Sequence, residues 1–172
     1  MSIKNAAKAL IINEGKVLLN KCLNTMGDFA WGLPNGAIYY DIPGGGQNKY
    51  EFLEETIKRE CLEETGYSVI VERLAAVYEE IFIMDTVKMD ETQRLVYEQN
   101  CHKVFFIFLC RLDDQPQKEA TEKDVDFVDA EWIAIDDVKN ILLFPKTFHD
   151  NFDLMLNSKM PVFLGSEKIN KL

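Results

Sequence analysis

The amino-acid sequence predicts a single α/β domain that covers residues 1–172. Hydrophobic residues make up 47% of the chain, which is enough to bury a core, and a length of 172 residues suits one domain better than two. Segments typical of strands are interleaved with segments typical of helices, and the sequence holds no internal repeat. We therefore expect a sheet combined with helices in one folding unit.

The chain opens with a predicted β-hairpin. Two apolar stretches, Ala6–Ile12 and Lys16–Cys22, flank a polar turn that ends in glycine, a pattern typical of a tight hairpin. Residues 23–37 are rich in turn formers, and Ile38–Ile42 has the composition of a short strand. A proline and three glycines follow at 43–46, for which we expect a loop with unusual backbone angles.

The strongest helix signal lies in Phe52–Thr65. This segment contains strong helix formers, and Gly66 stands where a C-terminal cap belongs. Tyr67–Met84 is rich in β-forming residues and predicts a strand. Residues 85–100 are polar and predict a loop.

The second half of the chain continues the alternation. His102–Leu112 predicts a buried strand, and residues 113–129 predict a solvated acidic linker. Ala130–Ile135 predicts another strand. Asp136 is expected to cap a short helix, and Thr147–Asn157 carries apolar residues at helical spacing, which predicts a further helix.

The charge balance narrows the classes of partner. The chain has 19 Lys and Arg residues against 29 Asp and Glu residues, a net charge of -10. Binding to duplex nucleic acid or to an anionic membrane depends on basic patches, so neither is expected. The longest apolar run, Val104–Cys110, is too short to span a membrane, and no segment has the pattern of a signal peptide. An acidic protein that binds a phosphate compound needs a divalent cation or a local basic cluster to hold it.

The cysteines predict a reducing, cytoplasmic location. Four of them occur, without CxxC spacing and too sparsely for a secreted disulfide scaffold: Cys22, Cys61, Cys101 and Cys110. Cys101 and His102 are neighbours on a predicted strand and so point to opposite faces, whereas His102 and Cys110 would lie about 26 Å apart along it. Neither pair is therefore expected to share a metal ion.

The segment from Gly45 to Tyr67 carries the chemistry. At about 100° per residue of a helix, one apolar stripe is formed by three residues: Leu53, Ile57 and Cys61. Glu60 and Glu64 fall inside or beside this stripe, and Glu63 lies roughly 60° outside it. A merely solvated helix would place its carboxylates opposite the apolar stripe, as is expected for Glu54 and Glu55.

These carboxylates need a compensating charge. Three glutamates at i, i+3 and i+4 repel one another by a few tenths of a kcal/mol per exposed pair, and by more when half-buried. Magnesium binds through one or two carboxylates, waters and substrate phosphates, and would link an acidic protein to an anionic substrate. The alternative is an acidic helix held by ion pairs such as Glu55 to Arg59.

The segment resembles the Nudix box, whose pattern is G-x5-E-x7-R-E-U-x-E-E-x-G-U with U an aliphatic residue. The fixed positions that match are Gly45, Glu51, Arg59, Glu60, Glu63, Glu64 and Gly66. The two aliphatic positions hold Cys61 and Tyr67. Asn48 and Tyr50 replace the acidic and glycine residues that usually precede Glu51.

The resemblance implies an α/β/α sandwich with a central mixed sheet. It also implies hydrolysis of a nucleoside diphosphate linked to a further group, with Mg²⁺ as cofactor or Mn²⁺ in its place. Glu60 and Glu64 would be the principal metal ligands, Glu63 would assist, and the Gly45 carbonyl would complete the shell. The implied catalytic residues are Glu51, Arg59, Glu60 and Glu63. The implied substrate-binding residues are Gly44, Gly45, Gly46 and Arg59.

The general base stays open, because Nudix proteins draw it from the box or from a loop elsewhere. Outside the box the candidates are Glu98, Glu122, Asp124 and Asp126, and a solvated linker is the simpler interpretation of the last three. The attacked phosphorus and the number of metal ions also stay open. Trp31, Tyr39 and Tyr40 either stack on a base or pack in the core.

Two classes of function fit these residues. The first is a metal-dependent pyrophosphohydrolase, and the second is a Nudix-fold module that binds a nucleotide as a sensor without cleaving it. The intact acidic set of the box favours the enzyme. ADP-ribose, nucleoside triphosphates, dinucleoside polyphosphates and sugar nucleotides all stay open as substrates, as does a homodimer.

Overall fold

One mixed β-sheet organises the protein. The computed structural model describes residues 3–25, 33–84, 86–87, 89–121 and 126–171, and within these ranges the sheet has nine strands. In chain order they are β1 (Lys4–Asn13), β2 (Lys16–Leu23), β3 (Ile38–Asp41), β4 (Gly44–Gly46), β5 (Val69–Met84), β6 (His102–Leu112), β7 (Phe127–Ala134), β8 (Leu143–Phe144) and β9 (Val162–Lys171). Their spatial order is β8-β3-β2-β1-β6-β5-β9, with β4 paired to β1 and β7 paired to β2.

The sheet combines parallel and antiparallel pairs of strands. Strand β1 runs parallel to β6 and antiparallel to β2 and β4, and β5 runs antiparallel to β6 and parallel to β9. The α-helices are α1 (Leu53–Thr65), α2 (Glu91–Asn100), α3 (Lys146–Asp150) and α4 (Phe152–Asn157), and Ile135–Asn140 is a 3₁₀ helix. In the described part of the chain, every helix is too short or too polar to cross a bilayer.

Helices cover both faces of the sheet. Successive residues of a strand point to opposite faces, and on β1 the neighbours Leu10 and Ile11 belong to two separate cores. Ile11 packs in one core with Ile57 of α1, and Leu10 packs in the other with Phe148 of α3 and Met155 of α4. The result is the α/β/α sandwich with a central mixed sheet that the Nudix resemblance implied.

The first hairpin and the first helix agree with the sequence. Glu14 and Gly15 form the turn with φ of 48° and 74°, the left-handed pair that matches the twist of a tight hairpin. Helix α1 ends at Gly66, which has φ 72° and donates its N–H to the Leu62 carbonyl. The predicted strand His102–Leu112 has those bounds in the structure.

The prediction of a loop at 43–46 is wrong, because Gly44–Gly46 forms strand β4 against β1. Gly44 has φ 132°, and a Cβ on it would lie 2.1 Å from the Ala7 carbonyl oxygen. The glycine content therefore serves the close approach of two strands, and Gly44 alone of the three has a positive φ.

The prediction of a loop over 85–100 is also wrong, since Glu91–Asn100 forms α2. Its glutamate, glutamine, arginine and leucine residues are strong helix formers, but their polarity hides the helical period. Toward the end of the chain, Asp136 lies in the first turn of the 3₁₀ helix and does not cap it. The single helix predicted over Thr147–Asn157 is divided at Asn151 into α3 and α4.

The acidic linker is shorter than predicted, and two of its described residues bond to the end of α1. Strand β7 begins at Phe127, three residues before its predicted start at Ala130. The Lys118 N–H donates to the Gly66 carbonyl, and the Thr121 N–H donates to the Glu63 carbonyl, both at 2.8 Å. The linker is therefore bonded to the C-terminal end of α1.

Candidate active site

Helix α1 presents its acidic residues as the periodicity predicted. Ile57 and Cys61 are fully buried, whereas Glu54 and Glu55 are exposed. The Glu60 side chain is 13% exposed and that of Glu63 is 29% exposed. The carboxylates of the box therefore lie at the border between the core and the surface.

Arg59 gathers three of the carboxylates. Its guanidinium donates to both oxygens of Glu51, at 2.8 and 3.0 Å, and one nitrogen, Nη1, donates to Glu60 at 2.7 Å and to Glu63 at 3.0 Å. The remaining bond runs from Nη2 to the Gly46 carbonyl. Ion pairing therefore does form in this segment, but with other partners than the Glu55 to Arg59 pair, since Glu55 accepts from the Phe52 N–H at the start of the helix.

Glu51 is held in its ionised form. The Arg59 guanidinium lowers the pKa of Glu51 to about 2, with smaller support from the Asn48 N–H and the Thr56 hydroxyl. Tyr50, directly before it, has φ 68°, a conformation that usually favours glycine. The loop thus keeps its left-handed position although the usual glycine is absent.

Glu64 has surroundings of a different kind. Its Oε2 accepts from the Gly44 N–H at 2.9 Å and from Asn20 Nδ2 at 2.8 Å. Burial raises the pKa of Glu64 to about 7, although the nearby Lys8 ammonium opposes this. Glu64 is therefore a poorly solvated carboxyl group, and no arginine bonds to it in the described part of the chain.

Gly45 makes room for Glu60. A Cβ built on Gly45 would lie 2.6 Å from the Cδ and from both oxygens of the Glu60 carboxyl group. The missing side chain therefore lets a backbone strand and a carboxylate meet at one point. This contact joins strand β4 to helix α1 at the centre of the box.

A cavity of about 280 Å³ opens beside Glu64. The cavity is lined by residues of four strands and of α1, and by the residue directly before β7: Lys8, Asn20, Cys22, Tyr39, Asp41, Glu64, Asp126 and Phe127. The Lys8 ammonium lies 2.7 Å from Asp41 Oδ2, and Asn20 Oδ1 is buried without a partner among the described residues. The volume is at the lower end of the range for small-molecule pockets, about 300–1,000 Å³.

The candidate bases separate into three groups. Asp126 lines the same cavity as Glu64 and accepts from the Thr25 hydroxyl at 2.7 Å. Glu98 is exposed on α2 and does not line the cavity. Glu122 and Asp124 lie outside the described residues, so they stay predictions.

The aromatic candidates also differ in placement. Tyr39 is buried and lines the cavity, whereas Tyr40 donates its hydroxyl to Glu131 at 2.9 Å. Trp31 lies outside the described residues. His102 pairs with Glu79 at 2.8 Å, and Cys101 is buried beside it in the chain.

Sequence reasoning missed three polar residues of the cavity wall. Lys8, Asn20 and Asp41 come from three different strands, and no spacing connects them. A usable signal was present for two of them, because Lys8 and Asn20 are polar residues inside the apolar runs of β1 and β2. A polar residue in a buried strand needs a partner, which marks it as a candidate.

The acidic side chains do not converge as a ready metal cluster. In the part of the chain that the structure describes, no three His, Cys, Asp or Glu side chains are grouped in a metal-binding arrangement. Arg59 engages Glu60 and Glu63, and Asn20 and the Gly44 backbone engage Glu64. The box residues are thus brought to one region in two separately bonded sets.

Comparison with solved structures shows the fold. An ADP-ribose pyrophosphatase from Streptococcus suis is 20% identical, with 93% of this chain and 98% of that chain covered and a TM-score of 0.57. A UDP-X diphosphatase is 20% identical, with 94% and 68% covered and a TM-score of 0.61. A NUDIX hydrolase from Nitrosomonas europaea is 21% identical, with 81% and 78% covered and a TM-score of 0.57.

Comparison at the level of sequence shows the family. A search of curated proteins finds no match. The family model of the NUDIX domain matches residues 3–153, a span that includes the box, the cavity wall and every strand up to β8. The chain therefore belongs to the NUDIX family.

Proposed function

We propose that this protein is a metal-dependent hydrolase that cleaves the pyrophosphate linkage of a nucleoside diphosphate derivative. The observation that carries the proposal is the gathering of Glu51, Glu60 and Glu63 by Arg59, with the half-buried Glu64 one turn after Glu60. The solved neighbours named as pyrophosphatase and diphosphatase have this fold. Cytoplasmic location and a homodimer stay predictions.

The residues fit a hard divalent cation such as Mg²⁺, with Mn²⁺ as a substitute. Carboxylate and carbonyl oxygens are the ligands that such a cation prefers, and Glu60, Glu63, Glu64 and the Gly45 carbonyl supply them. The missing Cβ of Gly45 lets the Glu60 carboxylate lie directly against the backbone of β4. When bound, the cation would neutralise the diphosphate and make water nucleophilic near neutral pH.

The protein's own groups have distinct tasks in this proposal. Glu51 stays ionised and holds Arg59 through two bonds, so the guanidinium is oriented toward Glu60 and Glu63. Asn20 and the Gly44 N–H fix one oxygen of Glu64 and leave the other available. Asp126, which lines the same cavity as Glu64, is the candidate for the general base outside the box that its position favours.

The cavity offers a place for the organic part of the substrate. Glu64, Tyr39 and Phe127 are among its lining residues, and aromatic rings pack well on a flat base. A ligand with its base there would have its diphosphate next to the box. This placement keeps the anionic part of the ligand at the predicted cation.

The test is hydrolysis of a panel in magnesium or manganese, with the products identified. The panel holds ADP-ribose, nucleoside triphosphates, dinucleoside polyphosphates and sugar nucleotides. We expect cleavage within the diphosphate, so that oxygen-18 from water enters a product phosphate. Label found only on a non-phosphate fragment would refute this mechanism, and nucleotide binding without products would favour the sensor.

Two variants of α1 serve as a matched pair. Glu64→Gln should abolish turnover with little loss of fold, because it removes an oxygen ligand and also relieves repulsion. Glu54→Gln, on the exposed face of the same helix, should be nearly silent. Wild-type kcat for Glu64→Gln at saturating magnesium would refute the ligand assignment.

A further inference from the structure

We infer that a second pocket, beside the start of the box, holds the group at the far end of the substrate, and that this group is a nucleotide. This outer pocket is lined by residues 3–5 and 47–51. The inference rests on the proposed function, since it places the diphosphate over the carboxylates of α1. It narrows the substrate class to dinucleotides, in which two nucleosides are joined through their phosphates.

The outer pocket is accessible and large enough for a nucleotide. Its volume is about 670 Å³, within the range of about 300–1,000 Å³ for small-molecule pockets. Lys4, Lys49 and Tyr50 belong to its wall and are exposed. Their side chains are therefore within reach of a ligand in solution.

The outer pocket is basic although the protein is acidic. Lys4 and Lys49 line it, and neither ammonium belongs to an ion pair in the described part of the chain. The carboxylate of its wall is Glu51, whose two oxygens accept from Arg59 at 2.8 and 3.0 Å. The uncompensated charge is therefore positive in a chain of net charge -10, and it attracts an anionic group such as phosphate.

Tyr50 supplies an aromatic ring that the core does not use. The residue is 92% exposed, and glycine would adopt its φ of 68° at lower cost. Backbone strain of this kind is concentrated at functional sites. The Lys49 ammonium lies 4.9 Å from the centre of the ring, so a base stacked on Tyr50 would have a cation near its phosphate. A sugar without a base would leave the ring unused.

Hydrogen bonds connect the outer pocket to the carboxylates of α1. Arg59 donates to the Gly46 carbonyl at 3.1 Å, directly before the loop of the pocket, and to Glu51 at the end of that loop. The same guanidinium donates to Glu60, and Glu64 follows one turn later in the cavity described above. The two pockets share no lining residue. A diphosphate over these carboxylates can therefore have one nucleoside in each pocket.

The outer pocket is held in shape by its own bonds. Asn5 Nδ2 donates to Gln47 Oε1 at 2.9 Å, and Gln47 Nε2 donates to the Glu51 carbonyl at 2.6 Å. The Gln47 N–H also donates to the Asn5 carbonyl at 3.0 Å. These bonds fix the loop against β1 before a ligand arrives, which lowers the cost of ordering the pocket on binding.

The test compares two ligands that differ only in the second base. ADP-ribose and diadenosine diphosphate share an ADP part and a second ribose, to which the latter adds adenine. Both are used as analogues with a methylene group in place of the bridging oxygen, which prevents cleavage. Dissociation constants are measured by calorimetry in magnesium. The diadenosine analogue should bind about fivefold more tightly or better, the lower end of the range for a base stacked on an aromatic side chain.

Substitutions assign the effect to the outer pocket. Tyr50→Gly should remove the preference between the two analogues without lowering Tm, whereas Tyr50→Phe keeps the ring and should keep the preference. Lys4→Gln/Lys49→Gln should weaken binding of the diadenosine analogue by about fivefold. The matched control is Lys16→Gln/Lys58→Gln, which changes the net charge equally at two exposed lysines outside both pockets and should bind as wild type does.

The outcomes separate this inference from the proposed function. Equal affinities of the two analogues for the wild type, or no binding of either at millimolar concentration, would overturn the inference even if diphosphates are hydrolysed. A preference that persists in Tyr50→Gly, or equal losses in the two lysine variants, would also overturn it. If the preference is found but no diphosphate in the panel is cleaved, the inference stands and the proposed hydrolase activity does not.

Discussion

Three consecutive glycines, Gly44, Gly45 and Gly46, have three different surroundings, so replacing each one by alanine separates the fold of the site from its chemistry. The three variants add the same methyl group to the same short strand. They should nevertheless fall into three classes in a thermal melt and in an assay of magnesium-dependent hydrolysis.

Gly44→Ala should disrupt the fold. The new Cβ would lie 2.1 Å from the Ala7 carbonyl oxygen and 2.9 Å from the Lys8 Cα, and φ at this residue is 132°. Both contacts are to backbone, so β4 would have to separate from β1. Core substitutions of this severity cost more than about 4 kcal/mol, which lowers Tm by on the order of 10 °C in a chain of this size.

Gly45→Ala should impair hydrolysis and leave the fold intact. The new Cβ would lie 2.6 Å from the carboxyl group of Glu60, the far end of a side chain that can rotate away. The loss of its partly exposed ion pair with Arg59 costs about 1 kcal/mol at most. Turnover should fall roughly 10- to 100-fold, because displaced groups around a metal site have effects of this size.

Gly46→Ala is the control, since no atom lies within 4 Å of its added Cβ and its φ is not positive. Its stability should stay within about 0.5 kcal/mol of wild type, so it controls for the effect of an added methyl group on the melt. Wild-type turnover for Gly45→Ala would refute the placement of Glu60 as a functional group. A wild-type Tm for Gly44→Ala would refute the close approach of β4 to β1.

Three further predictions concern stability. Magnesium that binds only the folded site should stabilise the protein by about 2.7 kcal/mol at one hundred times its Kd, which raises Tm. The Glu60→Gln/Glu64→Gln variant should lose most of this rise in Tm. An equal rise in both proteins would indicate general screening of charge. Burial raises the pKa of Glu80 from its ordinary value of 4.5 to about 7. Between these two pH values the folded state therefore binds more protons than the unfolded state, so the unfolding free energy falls as the pH rises through this range. Glu80→Gln should remove up to roughly 3 kcal/mol of that fall, which is measured by urea unfolding at acidic and mildly alkaline pH. The same pH dependence of the unfolding free energy in the variant and the wild type would contradict the raised pKa of Glu80. Tyr50→Gly should raise the unfolding free energy by up to about 1 kcal/mol by relieving the left-handed φ, whereas Lys49→Gly should not, and equal effects would argue against strain at residue 50.

Local signals explain which parts of the fold were predictable. Helix α1 has a strong period, and Gly66 caps it within the same segment, so its bounds could be predicted to within a residue. Strand β4 depends on pairing with β1, which lies more than thirty residues earlier in the chain, and no local pattern of glycines reveals that pairing. Strand β9 was not predicted, because its place beside β5 is likewise set by pairing with a distant segment.

The candidate site also has a part that local signals predict and a part that depends on distant pairing. The acidic set of α1 shares one helix, and its spacing shows that Glu60 and Glu64 lie near the apolar stripe. Lys8, Asn20 and Asp41 reach the cavity from separate strands. Their proximity depends on the order of strands in the sheet, which no local pattern in the sequence reveals.

The structure also revises how the carboxylates of α1 avoid repulsion. The sequence pointed to a divalent cation, with ion pairs on the helix as the alternative, but Arg59 already compensates Glu51, Glu60 and Glu63. Its two bonds to Glu51 use separate nitrogens, whereas Glu60 and Glu63 share Nη1. The bond pair to Glu51 therefore orients the guanidinium. The shared nitrogen bonds one oxygen of Glu60 and one oxygen of Glu63, so the cation that we propose at these residues would compete with Arg59 for their negative charge.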